Sequence, residues 1–122
     1  MYEIKVISSF SAAHSLRAYK GKCENLHGHN WKVEVVVSSQ SLDAGGMVMD
    51  FHDLKKMVNL VLEKLDHKYL NELTYFIKIN PSSEEIARHI FNELKPLVSE
   101  GKCDLKEISV WETEGSCAIY KE

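Results

Sequence analysis

No apolar run in the sequence approaches the ~20 residues that a membrane-spanning helix requires. Charge of one sign is missing too. Fifteen Lys and Arg against 18 Asp and Glu leave a formal charge of −3 at pH 7. Neither a membrane nor a nucleic acid is therefore expected as a partner. Cysteine is scarce and odd in number. Cys23, Cys103 and Cys117 are widely spaced, which argues against a disulfide framework and for free thiols in a cytoplasmic protein. The opening Met1-Tyr2-Glu3-Ile4-Lys5-Val6 alternates like a strand and does not read as a signal peptide. No repeat, linker or low-complexity tract divides the 122 residues, so one domain spanning 1–122 is expected. A chain of this length buries roughly two-thirds of its unfolded surface and needs no covalent staples.

What is present is periodic. Tyr2, Ile4, Val6 and Phe10 recur at even positions, with Glu3 and Lys5 between them, the mark of a half-buried strand. Trp31, Val33, Val35 and Val37 alternate with Asn30, Lys32 and Glu34 as a second strand. A polar loop runs from Ala18 to Leu26, and Gly45-Gly46 breaks the pattern after the second strand. Phe51, Leu54, Val58, Val61, Leu62 and Leu65 then form a helical stripe with Asp50 placed to cap it. After a loop from Asp66 to Asn80, Ser82-Ser83-Glu84-Glu85 has the form of a capping box. Ile86, Ala87, Ile90, Phe91, Leu94, Leu97 and Val98 supply a second helical stripe, with Pro96 expected to kink or end it. Leu105 to Trp111 and Ser116 to Tyr120 alternate as a closing hairpin. The order ββααββ predicts an α+β fold, a four-stranded antiparallel sheet with two helices on one face. Its unpaired edges suit contact with further subunits.

His27-Gly28-His29 is the most informative tripeptide. Residues i and i+2 of a strand point to the same side, and Gly28 leaves no side chain between the two rings. A hairpin would bring His14, at the end of the preceding strand, back beside them. Three imidazoles on rigid strands suit a zinc ion with one position open to substrate. An H-x-H alone is common by chance, and Cys23 could instead be a fourth ligand of a closed, structural zinc. His52 and His89 stand apart on helices and read as surface or partly buried residues.

Cys23 lies four residues before His27, beside Lys22, where a nearby cation lowers a thiol's pKa from about 8.5 and makes a thiolate base accessible. Cys103 and Cys117 have no such company and read as structural. Asp66-His67 follows the first helix, in a loop position where a carboxylate can orient an imidazole for proton transfer. Glu112 reads as a solvent-facing carboxylate at a strand end. Were it buried, it could accept paired N–H donors from a guanidine-like heterocycle.

Six segments together resemble one family. They are Phe10-Ser11-Ala12-Ala13-His14, Cys23-Glu24-Asn25-Leu26-His27-Gly28-His29, Gly46-Met47-Val48-Met49-Asp50-Phe51, Leu65-Asp66-His67, Asn80-Pro81-Ser82-Ser83-Glu84 and Trp111-Glu112-Thr113. In this order, and over nearly the whole chain, they resemble the 6-pyruvoyl- and 6-carboxy-tetrahydropterin synthases of the tunnelling fold. The resemblance implies zinc on His14, His27 and His29, Cys23 as general base, and Asp66 and His67 as its proton-relay partners. It implies Glu112 as the anchor of a pterin ring, assisted by Ser82 and Ser83, with Glu24 also at the substrate. It further implies 7,8-dihydroneopterin triphosphate as substrate, and trimers stacked into a homohexamer with active sites between subunits.

The C-x-x-x-H-G-H spacing from Cys23 resembles the branch making 6-carboxy-5,6,7,8-tetrahydropterin. That reaction is a carbon–carbon lyase step releasing acetaldehyde and triphosphate on the way to queuosine. Read from Glu24, the same segment is E-x-x-H-G-H and resembles a branch that cleaves the side chain to 6-hydroxymethyl-7,8-dihydropterin for folate synthesis. A dual activity, the 6-pyruvoyl product and a non-catalytic zinc- or pterin-binding protein are the remaining alternatives.

Overall fold

Strand alternation is realised over greater lengths than the apolar stripes mark. In a computed structural model describing residues 1–18, 25–99 and 101–122, β1 spans Tyr2–His14 and β2 spans His27–Ser39. They pair antiparallel along their whole length, from Tyr2 opposite Ser39 to His14 opposite His27. On β1, Val6, Phe10, Ala12 and His14 are buried, while Lys5, Ile7 and Ser9 face outward. Trp31, Val33, Val35 and Val37 of β2 lie on the same inner face.

Helix α1 (Phe51–Leu62) starts at Asp50, whose carboxylate accepts from His52 N and Asp53 N at 2.7 and 3.4 Å. Helix α2 (Ser83–Val98) starts at Ser82, whose hydroxyl accepts from Glu85 N at 3.2 Å. Such caps satisfy backbone donors that have no partner inside the helix. Leu54, Val58, Val61 and Leu62 of α1 and Ile86, Ala87, Ile90, Phe91, Leu94 and Val98 of α2 close over the inner face of the sheet. Each such Leu, Ile or Phe contributes about 1.5–3 kcal/mol by leaving water. Pro96 does not end α2, which continues to Val98. Lacking an N–H, it leaves one carbonyl of the preceding turn without its usual intrahelical donor.

The sheet has five strands, not four, in the order β3-β1-β2-β4-β5. Strand β4 (Asp104–Thr113) pairs with β2, and β5 (Ser116–Lys121) closes the hairpin on β4. The additional β3 is only Lys68–Tyr69, pairing parallel with Ala12 and Ala13 of β1. The sheet is therefore mixed rather than purely antiparallel. Two residues are too few to display a period, which is why the segment reads as loop in sequence. Two single-turn 3-10 helices, Leu70–Glu72 and Thr74–Phe76, occupy the rest of that stretch.

Side-chain amides lock this connection to the end of β1. Asn71 exchanges bonds with Ser15 N and O at 2.9 and 2.8 Å, and Asn80 with Arg17 N and O at 2.9 Å each. The Arg17 guanidinium donates to the carbonyls of Phe76, Asn71 and Ile79. Pro81 is thereby carried to the tip of β1, beside His14.

Candidate active site

Register explains how three histidines meet. His14 lies opposite His27, and Ala12 opposite His29, so all three rings project from adjacent strand ends on the inner face. The Trp31 indole forms the floor, edge-on to His14 at 4.9 Å and to His29 at 5.1 Å, with its own Nε1 donating to Ala12 O at 3.2 Å.

Two backbone carbonyls fix the tautomers. His14 Nδ1 lies 2.7 Å from Pro81 O, and His27 Nδ1 lies 2.9 Å from Asn25 O. A carbonyl only accepts, so each Nδ1 carries the hydrogen and each neutral ring presents a lone pair at Nε2. Those two Nε2 atoms approach to 3.1 Å. That spacing can accommodate a shared cation, and Nδ1–H donation to a carbonyl is the usual orientation of a metal-binding histidine. His29 Nε2 is buried and makes no hydrogen bond. Burial pushes the His29 imidazole below its ordinary pKa of 6.5, against the pull of the Glu112 carboxylate. Its neutral, ligating form is thus favoured.

Glu112 is the fourth member of the group. Its Oε1 lies 2.9 Å from His29 Nε2, without hydrogen-bond alignment, 3.5 Å from His14 Nε2 and 3.9 Å from His27 Nε2. Among the described residues, His14, His27, His29 and Glu112 offer ligand atoms within 4.8 Å of one another, a set able to hold a metal ion. A solvent-facing Glu112 is therefore corrected. Its neighbours at even positions, Ile108 and Val110, are fully buried, and strand phase turns Glu112 inward with them. That phase was the available signal in sequence. The pairing of β4 with β2, which brings the carboxylate to the histidines, was not.

Other expected residues fall into two further places. Ser83 Oγ donates to Glu112 Oε2 at 3.4 Å, beside a cavity of about 320 Å³ that Glu84, Ser116 and Cys117 also line. Ser82 instead caps α2. Asp66 and His67 form a pair of their own, His67 Nδ1 to Asp66 Oδ2 at 2.9 Å. The backbone bonds Ser11 N to Asp66 Oδ1 and His67 N to Ser11 O tie the pair to β1. The bond from Ser11 N, more than that from His67, holds the Asp66 carboxyl below the usual range. His67 is 82% exposed and lines a cleft of about 510 Å³ with Ser11, Ala12, Ala13, Gly28, His29 and Asn30. Among the described residues, neither Asp66 nor His67 belongs to the group of ligand atoms around His14. Gly28 faces outward, where a Cβ would sit 3.9 Å from Ala12 O. Alternation, not the missing side chain, clears the space between His27 and His29.

Cys23 and Glu24 lie outside the described residues. Cys103 is buried, its thiol donating to Val48 O at 3.2 Å, and burial raises its pKa. Cys117 is exposed rather than packed. His52 is exposed and His89 half-buried, as their helical positions suggest.

The family model described as 6-pyruvoyl tetrahydropterin synthase matches residues 3–122. A 6-carboxy-5,6,7,8-tetrahydropterin synthase of Haemophilus influenzae is 35% identical over 144 residues, covering 100% of both chains. A dihydroneopterin monophosphate aldolase of Pyrococcus furiosus is 40% identical over 105 residues, 86% of this chain and 84% of its own. The solved structure of the Caenorhabditis elegans 6-pyruvoyl tetrahydropterin synthase superposes with a TM-score of 0.87 at 32% identity. That match covers 99% of this chain and 95% of the other.

Proposed function

The chain belongs to the 6-pyruvoyl tetrahydropterin synthase family and has its tunnelling fold, and on that premise we propose a zinc-dependent 6-carboxy-5,6,7,8-tetrahydropterin synthase. Its substrate is 7,8-dihydroneopterin triphosphate, its co-products are acetaldehyde and triphosphate, and its product serves queuosine synthesis. The observation carrying this reading is the convergence of His14 and His27 Nε2 at 3.1 Å, with both Nδ1 atoms committed to carbonyls. The C-x-x-x-H-G-H spacing and the name of the Haemophilus relative support the 6-carboxy product.

His14, His27 and His29 hold the zinc. When bound, that ion supplies positive charge that polarises substrate oxygen and stabilises negative charge developing there. Glu112 accepts the paired N–H donors of the pterin ring, a charge-assisted arrangement. Ser83 steadies its Oε2. Ser82, as the cap of α2, keeps Ser83 in place. Cys23 removes the proton from the carbon attached to the ring. The Asp66–His67 pair, 2.9 Å apart, carries protons on oxygen. Fixing the ring presents the reacting carbon to the thiolate, so misplacement costs rate as well as affinity.

A site completed by a neighbouring subunit, as the family resemblance implies, is part of this reading. We read the assembly as trimers stacked into a homohexamer working in the cytoplasm. Exposed Tyr2, Ile7, Met47, Phe51 and Ile119 give subunits apolar surface to bury.

A second reading is side-chain cleavage to 6-hydroxymethyl-7,8-dihydropterin, with Glu24 as base. The E-x-x-H-G-H segment and the name of the Pyrococcus relative favour it. Incubating the zinc-loaded protein with dihydroneopterin triphosphate and identifying the pterin by mass separates the two. The 6-carboxy product is expected, and 6-hydroxymethyl-dihydropterin alone would overturn that expectation.

A further inference from the structure

We propose that Glu112 is a switching ligand: it closes the three-histidine metal site when no pterin is bound, and leaves it for the ring when one arrives. The inference rests on the reading of Glu112 as ring anchor and adds a second, alternating partner. Ligand atoms about 2.0–2.2 Å from a tetrahedral zinc stand about 3.3–3.5 Å from each other. Of the six edges among Nε2 of the three histidines and Oε1 of Glu112, the three from Oε1 are 2.9, 3.5 and 3.9 Å and the His14–His27 edge is 3.1 Å, with all four atoms within 4.8 Å of one another. These spacings bracket the ideal edge and place Oε1 where a fourth ligand can stand.

The carboxylate also has somewhere to go. Oε2 points to Ser83 Oγ at 3.4 Å, and the side chain, 35% exposed, borders the cavity of about 320 Å³ against Ser83 and Glu84. That volume lies at the lower end of ordinary small-molecule sites. A guanidine-like ring edge takes two parallel hydrogen bonds and so needs both carboxylate oxygens. Oε1 cannot satisfy the ring and the metal together. Ring binding therefore opens the metal's fourth position at the moment a substrate is present, and the resting site stays closed to other ligands.

The test uses the cobalt(II)-substituted full-length protein and pterin itself, which carries the ring donors but no side-chain hydroxyl. Saturating pterin should change the visible cobalt spectrum of the wild-type protein, although the ligand brings no side-chain oxygen to the metal. An unchanged spectrum with pterin demonstrably bound would overturn the switch, and this measurement needs no variant. Glu112→Gln should alter the pterin-free spectrum and weaken cobalt binding by more than the ~10–100-fold that losing an outer partner costs. If Glu112→Gln abolishes pterin binding but leaves spectrum and cobalt affinity intact, the switch fails and the anchor reading stands. If it weakens cobalt while pterin still binds the metal-free protein with wild-type affinity, Glu112 is a static ligand and both the switch and the anchor reading fail.

Discussion

At the scale of single residues, what separates the site from a chance cluster is the commitment of one nitrogen on each ring. His14 and His27 spend Nδ1 on Pro81 O and Asn25 O, and burial lowers the pKa of His29. With Glu112 the three residues form a group able to hold a metal ion, to which His52 and His89 do not belong. In the proposed chemistry Cys23 is the general base. Cys23→Ala should lower turnover by about 10²–10⁴-fold, the usual worth of a general base. Zinc stoichiometry and pterin affinity should stay unchanged in the same preparation. Loss of zinc from that variant would instead make the thiol a ligand and the site a closed one.

At the scale of elements, α2 both caps the site and carries its own titration. His89 packs against Tyr75 at 4.3 Å and Phe76 at 5.4 Å, and burial pushes its imidazole below the ordinary 6.5, with Glu93 opposing and Lys64 assisting. A lowered histidine pKa means the unfolded chain takes up the proton first. Its contribution to stability is present above about 6.5 and is lost as pH falls through the folded value. The thermal midpoint of the metal-free protein should therefore drop on acidification from about pH 7 toward 5. His89→Phe keeps the aromatic contacts and should make that decline shallower, with His29 supplying the remainder; an unchanged slope would contradict the assignment.

The same scale shows what was legible in sequence. Helix α1, helix α2 and their caps follow from period and capping residues, because amphipathic stripes and Ser or Asp caps are local signals. The meeting of His14 with the His27–His29 pair follows once a hairpin is assumed. Lys68–Tyr69 did not show, being held as a strand by tertiary pairing with Ala12 and Ala13 rather than by any pattern of its own. Neither did the turn at His67, which adopts φ +57° without being glycine. Glu112 was half legible: its phase was on the strand, but its partners depended on the register of β4 against β2.

At the scale of the whole molecule, the metal group and the exposed Asp66–His67 pair are distinct clusters among the described residues. The proposed site draws on more than one copy. Sedimentation should report a mass of six chains, and activity should fall on dilution below the association range. A fully active monomer would contradict a site shared between subunits. The proposed chemistry stands on three imidazoles of β1 and β2 gripping one metal ion, and zinc titration of the metal-free protein measures that grip. One zinc per chain is expected for the wild type, with at least a tenfold weaker affinity for each of His14→Ala, His27→Ala and His29→Ala. Full-affinity zinc binding by any of the three would contradict it.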